Sequence, residues 1–182
     1  MPGASKLVRP FGSSTVVARV AETAISAGLE PVVVVIGHEG SRIASCLDGL
    51  GVVLIRNPEY PSGRTTSLQA GLRALAERTA SAAVVLLGDE PGVTGDAILR
   101  VVRQWRSTGM PILRVRYRDR PGHPVLLDRA VFSPALGLAA GDDAWSRLSS
   151  GWQTGEVRIA DRAPVDVDRP EDLAAARERR LR

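Results

Sequence analysis

Apolar residues along this chain fall into two patterns, short unbroken runs and stripes spaced three to four apart. That is how buried strands trading places with amphipathic helices read. The clearest run is Ala82-Ala83-Val84-Val85-Leu86-Leu87, which predicts a strand buried on both faces, as in a parallel sheet. Pro31 to Gly37 and Val52 to Ile55 predict two more strands, the latter ending at Arg56-Asn57-Pro58. Before the strand at Pro31 lie Val16, Val17, Val20, Ala21, Ala24 and Ile25 at helical spacing, with Ser13 or Ser14 as the cap and Gly28 as the stop. Ile43, Cys46, Leu47 and Leu50 mark one face of a further helix, where Cys46 reads as a core filler. Another helix opens at Thr66-Ser67-Leu68-Gln69, with Thr66 and Gln69 at capping-box spacing.

Past the run at 82–87, Ile98, Val101, Val102 and Trp105 predict a helix from about Thr94. Pro111 to Tyr117 partly alternates and pairs naturally with His123 to Leu127, predicting a less buried, antiparallel part of the sheet. Short helices over 130–138 and 144–148, a strand over 157–160 and a helix over 170–180 complete the chain. Strands alternating with helices predict an α/β fold in three layers, α/β/α, with a mostly parallel sheet. No repeat, low-complexity stretch or linker interrupts it, so residues 1–182 are expected to form a single domain.

Composition narrows the function. A net charge of +4 and a pI near 10.1 suit an anionic partner. Part of that charge sits in Arg177 to Arg182, where cations complement a helix carboxyl end. The remaining basic residues are dispersed and lack interleaved aromatics, so a nucleotide or another phosphorylated small molecule is expected rather than a nucleic acid. No apolar stretch is long enough for a membrane span and Met1 to Ser14 holds no signal-like core, so no membrane contact and a cytoplasmic setting are expected. The single cysteine excludes an internal disulfide and a CxxC metal pair. Neither GxxxxGK[ST] nor a GxGxxG after a strand is present, which argues against a P-loop ATPase and a dinucleotide-dependent dehydrogenase. No serine, histidine and acid stand out as a triad, so hydrolysis by a nucleophilic serine has little support.

Candidate chemistry gathers at two acidic turns. Gly88-Asp89-Glu90-Pro91 follows the strand at 82–87, and ligands of open α/β sheets bind beyond the carboxyl ends of strands. Carboxylate oxygens there suit a hard cation such as Mg²⁺. The same four residues also make an ordinary turn. Asp166-Val167-Asp168-Arg169-Pro170-Glu171-Asp172-Leu173 is the second cluster. Taken alone, Asp168 reads best as an N-cap with Glu171 completing the box. The alternative is that Asp168 and Asp89 meet across the sheet edge and share a metal. Lys6, in a loop rich in glycine and proline, reads by itself as solvated, and His123, just before Pro124, as structural.

Taken together these segments resemble a known family. Gly3-Ala4-Ser5-Lys6-Leu7 with Pro10-Phe11-Gly12, Asn57-Pro58 with Gly63-x-x-x-Ser67-Leu68-x-x-Gly71-Leu72, Gly88-Asp89-x-Pro91, Gly122-His123-Pro124-Val125, Gly141-Asp142 and the 166–173 cluster occur in the order seen in MobA-like nucleotidyltransferases. Within that family the chain is similar to the molybdenum cofactor cytidylyltransferase branch, because the Gly-Pro-Leu-Ala-Gly of guanylyltransferase relatives is missing. The resemblance implies a Rossmann-like nucleotidyltransferase fold. It implies that Lys6 contacts the nucleotide phosphates and, with Asp89, is catalytic. It also implies that Asn57, Gly63 and Ser67 line the nucleotide pocket with Asp89, that Asp89 and Asp168 bind Mg²⁺, and that Gly122, His123 and Pro124 lie toward the acceptor. The implied partners are CTP or another nucleoside triphosphate such as GTP, a molybdopterin-type or other small phosphorylated acceptor, and a molybdoenzyme or its accessory protein.

Two departures accompany the resemblance. Family members begin with a strand and a Leu-Ala-Ala-Gly-x-Ser-x-Arg-Met-Gly loop around the triphosphate, most of which is absent here, so the native protein is expected to be longer and Met1 to be an internal methionine. Asp143-Ala144-Trp145-Ser146-Arg147 stands where Gly-Ala-Arg is usual, which puts the acceptor in question. The rival to an enzyme is a non-catalytic nucleotide- or cofactor-binding accessory protein of the same fold.

Overall fold

Alternation along one strand sorts the core into two sides. The computed structural model describes residues 6–169 and 171–180. Strand β6 (Ile112–Arg116) follows β5 (Ala82–Val85) and precedes β7 (Pro121–Asp128) and β8 (Thr154–Arg158); these four form one sheet in the order β5-β7-β6-β8. Ile112 faces a cluster with Leu72, Val125, Leu127, Phe132 and Leu148. Leu113 and Val115 face the opposite cluster with Ala97, Val101, Leu126 and Val157. Helices α3 (Arg64–Glu77), α5 (Phe132–Leu136) and α6 (Ala144–Gly151) therefore cover one face, and α4 (Gly95–Thr108) covers the other. Both faces are apolar because both are covered, giving the three layers that the pattern predicts.

A parallel pair, β3 (Val33–Ile36) with β4 (Val53–Arg56), lies apart in hydrogen bonding. Between its strands runs α2 (Gly40–Cys46), and α1 (Val16–Ser26) packs on the same cluster through Val17, Ala18 and Ala21. β8 also runs parallel to β6, whereas β7 is antiparallel to both β5 and β6. The register slips between Arg114 and Val115, opposite His123 and Pro124. A two-residue ladder of β1 (Pro10–Phe11) and β2 (Ser14–Thr15) precedes α1, and α7 (Asp172–Arg180) ends the chain. No helix among the described residues is long and apolar enough to cross a membrane.

Local details depart from the sequence pattern for physical reasons. The cap of α1 is Thr15, whose hydroxyl accepts from Ala18 N, while Ser14 instead donates to Glu22. Helix α3 starts at Arg64, so Thr66 lies inside it rather than capping it, and its hydroxyl donates back toward Gly63 O and Glu59 O. Only four residues of the 82–87 run join the ladder, and among them Ala83 alone is fully buried, since β5 terminates the strand order. β8 begins earlier than the pattern indicates, at Thr154. Gly3, Ala4, Ser5 and Pro170, quoted in the motifs above, lie outside the described residues.

Gln69 does not complete a capping box either. It is buried, and its side-chain amide donates to the carbonyls of Ala135, Leu136 and Leu138 at 3.3, 3.2 and 2.9 Å. These carbonyls lie at and just past the end of α5, where the helix ladder runs out and a side chain from another helix supplies donors. Gln69→Ala is expected to lower the urea midpoint with an unchanged m-value, a loss of about 1–3 kcal/mol from stranding buried acceptors.

Candidate active site

Three sequence-distant elements converge beyond the carboxyl end of β5. Lys6 opens a short 3-10 turn, Lys6–Val8; Asp89 follows β5; Asp168 lies in the segment before α7. Val167 N donates to Asp89 O at 2.9 Å, which clips the second acidic segment to the first. Between them the Lys6 ammonium donates to Asp89 Oδ2 at 2.5 Å and Asp168 Oδ1 at 2.6 Å. Burial pulls the lysine toward its neutral form, but the bonds to Asp168 and Asp89 outweigh it, and its pKa is raised. The bond from Lys6 in turn holds the Asp168 carboxyl below its ordinary value.

The local reading of Asp168 as an N-cap gives way to this arrangement. Asp172, the first residue of α7, reaches back instead: its Oδ2 accepts from Asp168 N at 3.0 Å and Arg169 N at 2.7 Å, closing the turn before the helix. That leaves the Asp168 carboxylate free to reach Lys6. Asp168 is two-thirds exposed, at 67 %, against 24 % for Asp89, so the pair opens to solvent on the Asp168 side. A groove of about 510 Å³ lined by Asp119, Arg120, Pro164 and Asp166 runs along that side.

Two carboxylates with a cation already between them are the donor set a hard divalent ion needs. Among the described residues no group of three or more such ligands is gathered, so any ion would complete its shell with water or substrate oxygens. The residues fit a metal on that condition.

The other expected site residues make contacts of their own. Asn57 is buried, donating to Thr66 Oγ1 at 2.9 Å and Ser67 Oγ at 3.0 Å and accepting from Glu59 N at 3.0 Å. It ties the end of β4 to the first turn of α3. Gly63, the residue before α3, has φ +125°, and a Cβ there would stand 2.7 Å from Ala140 O. Only glycine permits both that backbone and that approach. Thr65 extends the same joint by donating to Asp142 O at 2.6 Å. Gly122 lies under the Tyr117 ring, where a Cβ would come within 3.2 Å, and the Tyr117 hydroxyl donates to His123 O at 2.7 Å. Pro124 is buried behind them.

Glu90 carries information that the sequence reading passed over. Its side chain is only 2 % exposed, and Oε2 has no hydrogen-bond partner. Burial, reinforced by its hydrogen bond with Asp166, pushes its pKa up to about 8. His123 Nδ1 lies 3.8 Å away, and burial with the Arg114 charge lowers that imidazole to about 4. The contact at neutral pH is therefore between two uncharged groups, despite its ion-pair distance. A carboxylate next to Asp89 in the strand-end turn was the available signal. Arg114 was also passed over, and its signal was inward register with Ile112.

Layered helices about a mixed sheet, with opposed charges collected at the strand ends, define an α/β nucleotidyltransferase. Comparison with known proteins agrees: the model for the MobA-like NTP transferase domain matches residues 1–156, and the chain belongs to that family. It is 31% identical to the bifunctional IPC transferase and DIPP synthase of Rubrobacter xylanophilus over 97% of this chain and 48% of that protein, so it spans about half that relative's length. It is 25% identical to the nicotine blue oxidoreductase of Paenarthrobacter nicotinovorans, over 92% of this chain and 85% of the relative. It is also 25% identical to the molybdenum cofactor cytidylyltransferase of Escherichia coli, over 97% and 89%. The crystal structure of Rv0371c from Mycobacterium tuberculosis, complexed with manganese, superposes with a TM-score of 0.77 at 27% identity, covering 97% of this chain and 93% of that one.

The raised Glu90 value fixes a sign. Its folded pKa of about 8 exceeds the ordinary 4.5, so its contribution to stability is complete in acid and is lost as pH rises through that window. His123 acts oppositely, losing stability as pH falls from 6.5 toward about 4. Melting temperatures measured from pH 5 to 9 should fall less on the alkaline side in Glu90→Gln than in the natural protein.

Proposed function

We propose that this protein transfers CMP from CTP to a small phosphorylated acceptor of the molybdopterin type, with Mg²⁺ and release of pyrophosphate. The observation that carries the reading is the Lys6 ammonium held between Asp89 and Asp168 at 2.5 and 2.6 Å. An acceptor phosphate oxygen attacks the α-phosphorus; that P–O bond forms as the α–β bridging bond breaks, and pyrophosphate leaves with the electron pair. The transfer needs no covalent nucleophile. Positioning and charge neutralisation do the work.

Each residue has a part. Lys6 moves from the carboxylates onto the nucleotide phosphates and offsets charge on the leaving pyrophosphate. Its departure leaves Asp89 and Asp168 to hold Mg²⁺, which neutralises phosphate charge when bound. Gly63 and Ser67, fixed by Asn57, border the nucleotide, and Gly122, His123 and Pro124 face the acceptor. The preference for CTP over GTP rests on the Gly63-x-x-x-Ser67 loop and on the cytidylyltransferase among the relatives. The related oxidoreductase does not shift this reading, because no dinucleotide fingerprint is present.

Two measurements test it. In a thermal-shift panel of CTP, GTP, ATP and UTP, CTP with Mg²⁺ should raise the melting temperature most, since only the folded state binds it. With CTP, Mg²⁺ and a molybdopterin acceptor, pyrophosphate should appear, and Asp89→Asn and Lys6→Ala should each slow it by about 10²–10³-fold. Tight CTP binding without pyrophosphate would instead identify a nucleotide-binding accessory protein.

A further inference from the structure

Arg114 is a cation placed where a core residue would ordinarily stand. It occupies the inward register of β6, paired with Val125 on β7 and sharing the face of Ile112 in the apolar cluster. Its Nε is buried without a hydrogen-bond partner, and no ion pair engages its guanidinium among the described residues. Glu156, its register partner on β8, and Asp143 act on it only through space. Stranding a charged donor in this way is costly unless something completes it.

What surrounds the guanidinium is built rather than loose. Its carbon lies 4.4 Å from the centroid of the Trp145 ring. Trp145 sits in the first turn of α6, where Asp143 Oδ1 accepts from Trp145 N at 3.1 Å. The adjoining Asp142 accepts from Arg147 Nε at 3.2 Å and, through its carbonyl, from Thr65 Oγ1 at 2.6 Å. The ring platform is thereby tied to the first turn of α3, beside Gly63 and Ser67. Stacking engages the flat face of a guanidinium and leaves its in-plane fork of N–H donors, the part that matches a phosphate. The register slip after Arg114 falls opposite His123 and Pro124 on β7, and the His123 imidazole feels the charges of Arg114 and Arg64 as well as those of Asp166 and Asp89.

We propose that Arg114, laid on Trp145 beside His123, is the anion seat of the acceptor and receives its phosphate group. The proposal rests on the transfer reading above for the acceptor's identity, not for the existence of the seat. Arg114 binds and orients; it takes no part in bond making. It also gives Trp145 a purpose where the usual Gly-Ala-Arg is replaced.

The test reads binding without turnover. With the nucleotide site filled by α,β-methylene-CTP and Mg²⁺, inorganic phosphate and glycerol 3-phosphate are titrated while tryptophan fluorescence and heat are followed, with glycerol as the uncharged control. Both phosphates should bind and glycerol should not. Arg114→Met, which keeps the stem against Trp145, should weaken phosphate by at least about tenfold without lowering the melting temperature, the loss of a charged hydrogen bond. Arg114→Lys should recover only part, because an ammonium lacks the fork. Equal affinity in Arg114→Met, or no phosphate binding to the natural protein, would overturn the seat. Absence of pyrophosphate release with phosphate binding intact would count against the transfer reading alone.

Discussion

The site depends on one ammonium group. Lys6 reaches two carboxylates whose residues stand 83 and 162 positions away in sequence. Side-chain charge alone would not bring them together, because partly exposed ion pairs contribute little net stability. Apolar packing does that work. Val167 and Val16 are fully buried beside Phe11 and Ala176, with Leu7 and Leu173 packed against them. Burying that cluster draws the turn carrying Lys6 and the segment carrying Asp168 against the end of β5, and Val167 N completes the join on Asp89 O. The charges are passengers on a hydrophobic clamp.

A second division runs along the same sheet edge. On one side lie Lys6, Asp89 and Asp168, charged and open to water on the Asp168 side. On the other lie buried Glu90 and half-buried His123, adjacent and both held neutral near pH 7 by the cost of charging a desolvated group. Arg114 is the exception within the dry half, retaining its charge under Trp145. Neighbouring residues in one turn, Asp89 and Glu90, thus acquire different chemistry. Their side chains leave the backbone in different directions, one toward Lys6 and one toward His123.

Much of the layered fold was legible in residue spacing. The runs at 31–37 and 52–55 and the stripes on α1 and α4 fall on real elements, although Ile25 and Leu54 are each 39 % exposed and β4 has no fully buried residue. Boundaries were less legible. Thr66 and Gln69 have capping-box spacing, yet Gly63 at φ +125° starts the helix earlier, and both side chains serve other partners. Asp168 shows the same limit: its carboxylate goes to Lys6, 162 positions away, a partner that local capping preference does not reveal.

By itself the sequence determined the α/β class, the alternation of elements and the family, since these follow from local periodicity and from motifs that keep their order along the chain. Only the tertiary structure decided that Asp89 and Asp168 meet on Lys6. It also decided that Glu90 turns inward, and that Arg114 stacks on Trp145 next to His123. Those outcomes depend on which apolar surfaces pack together across more than a hundred residues, and on the desolvation that such packing imposes on whatever polar groups it encloses.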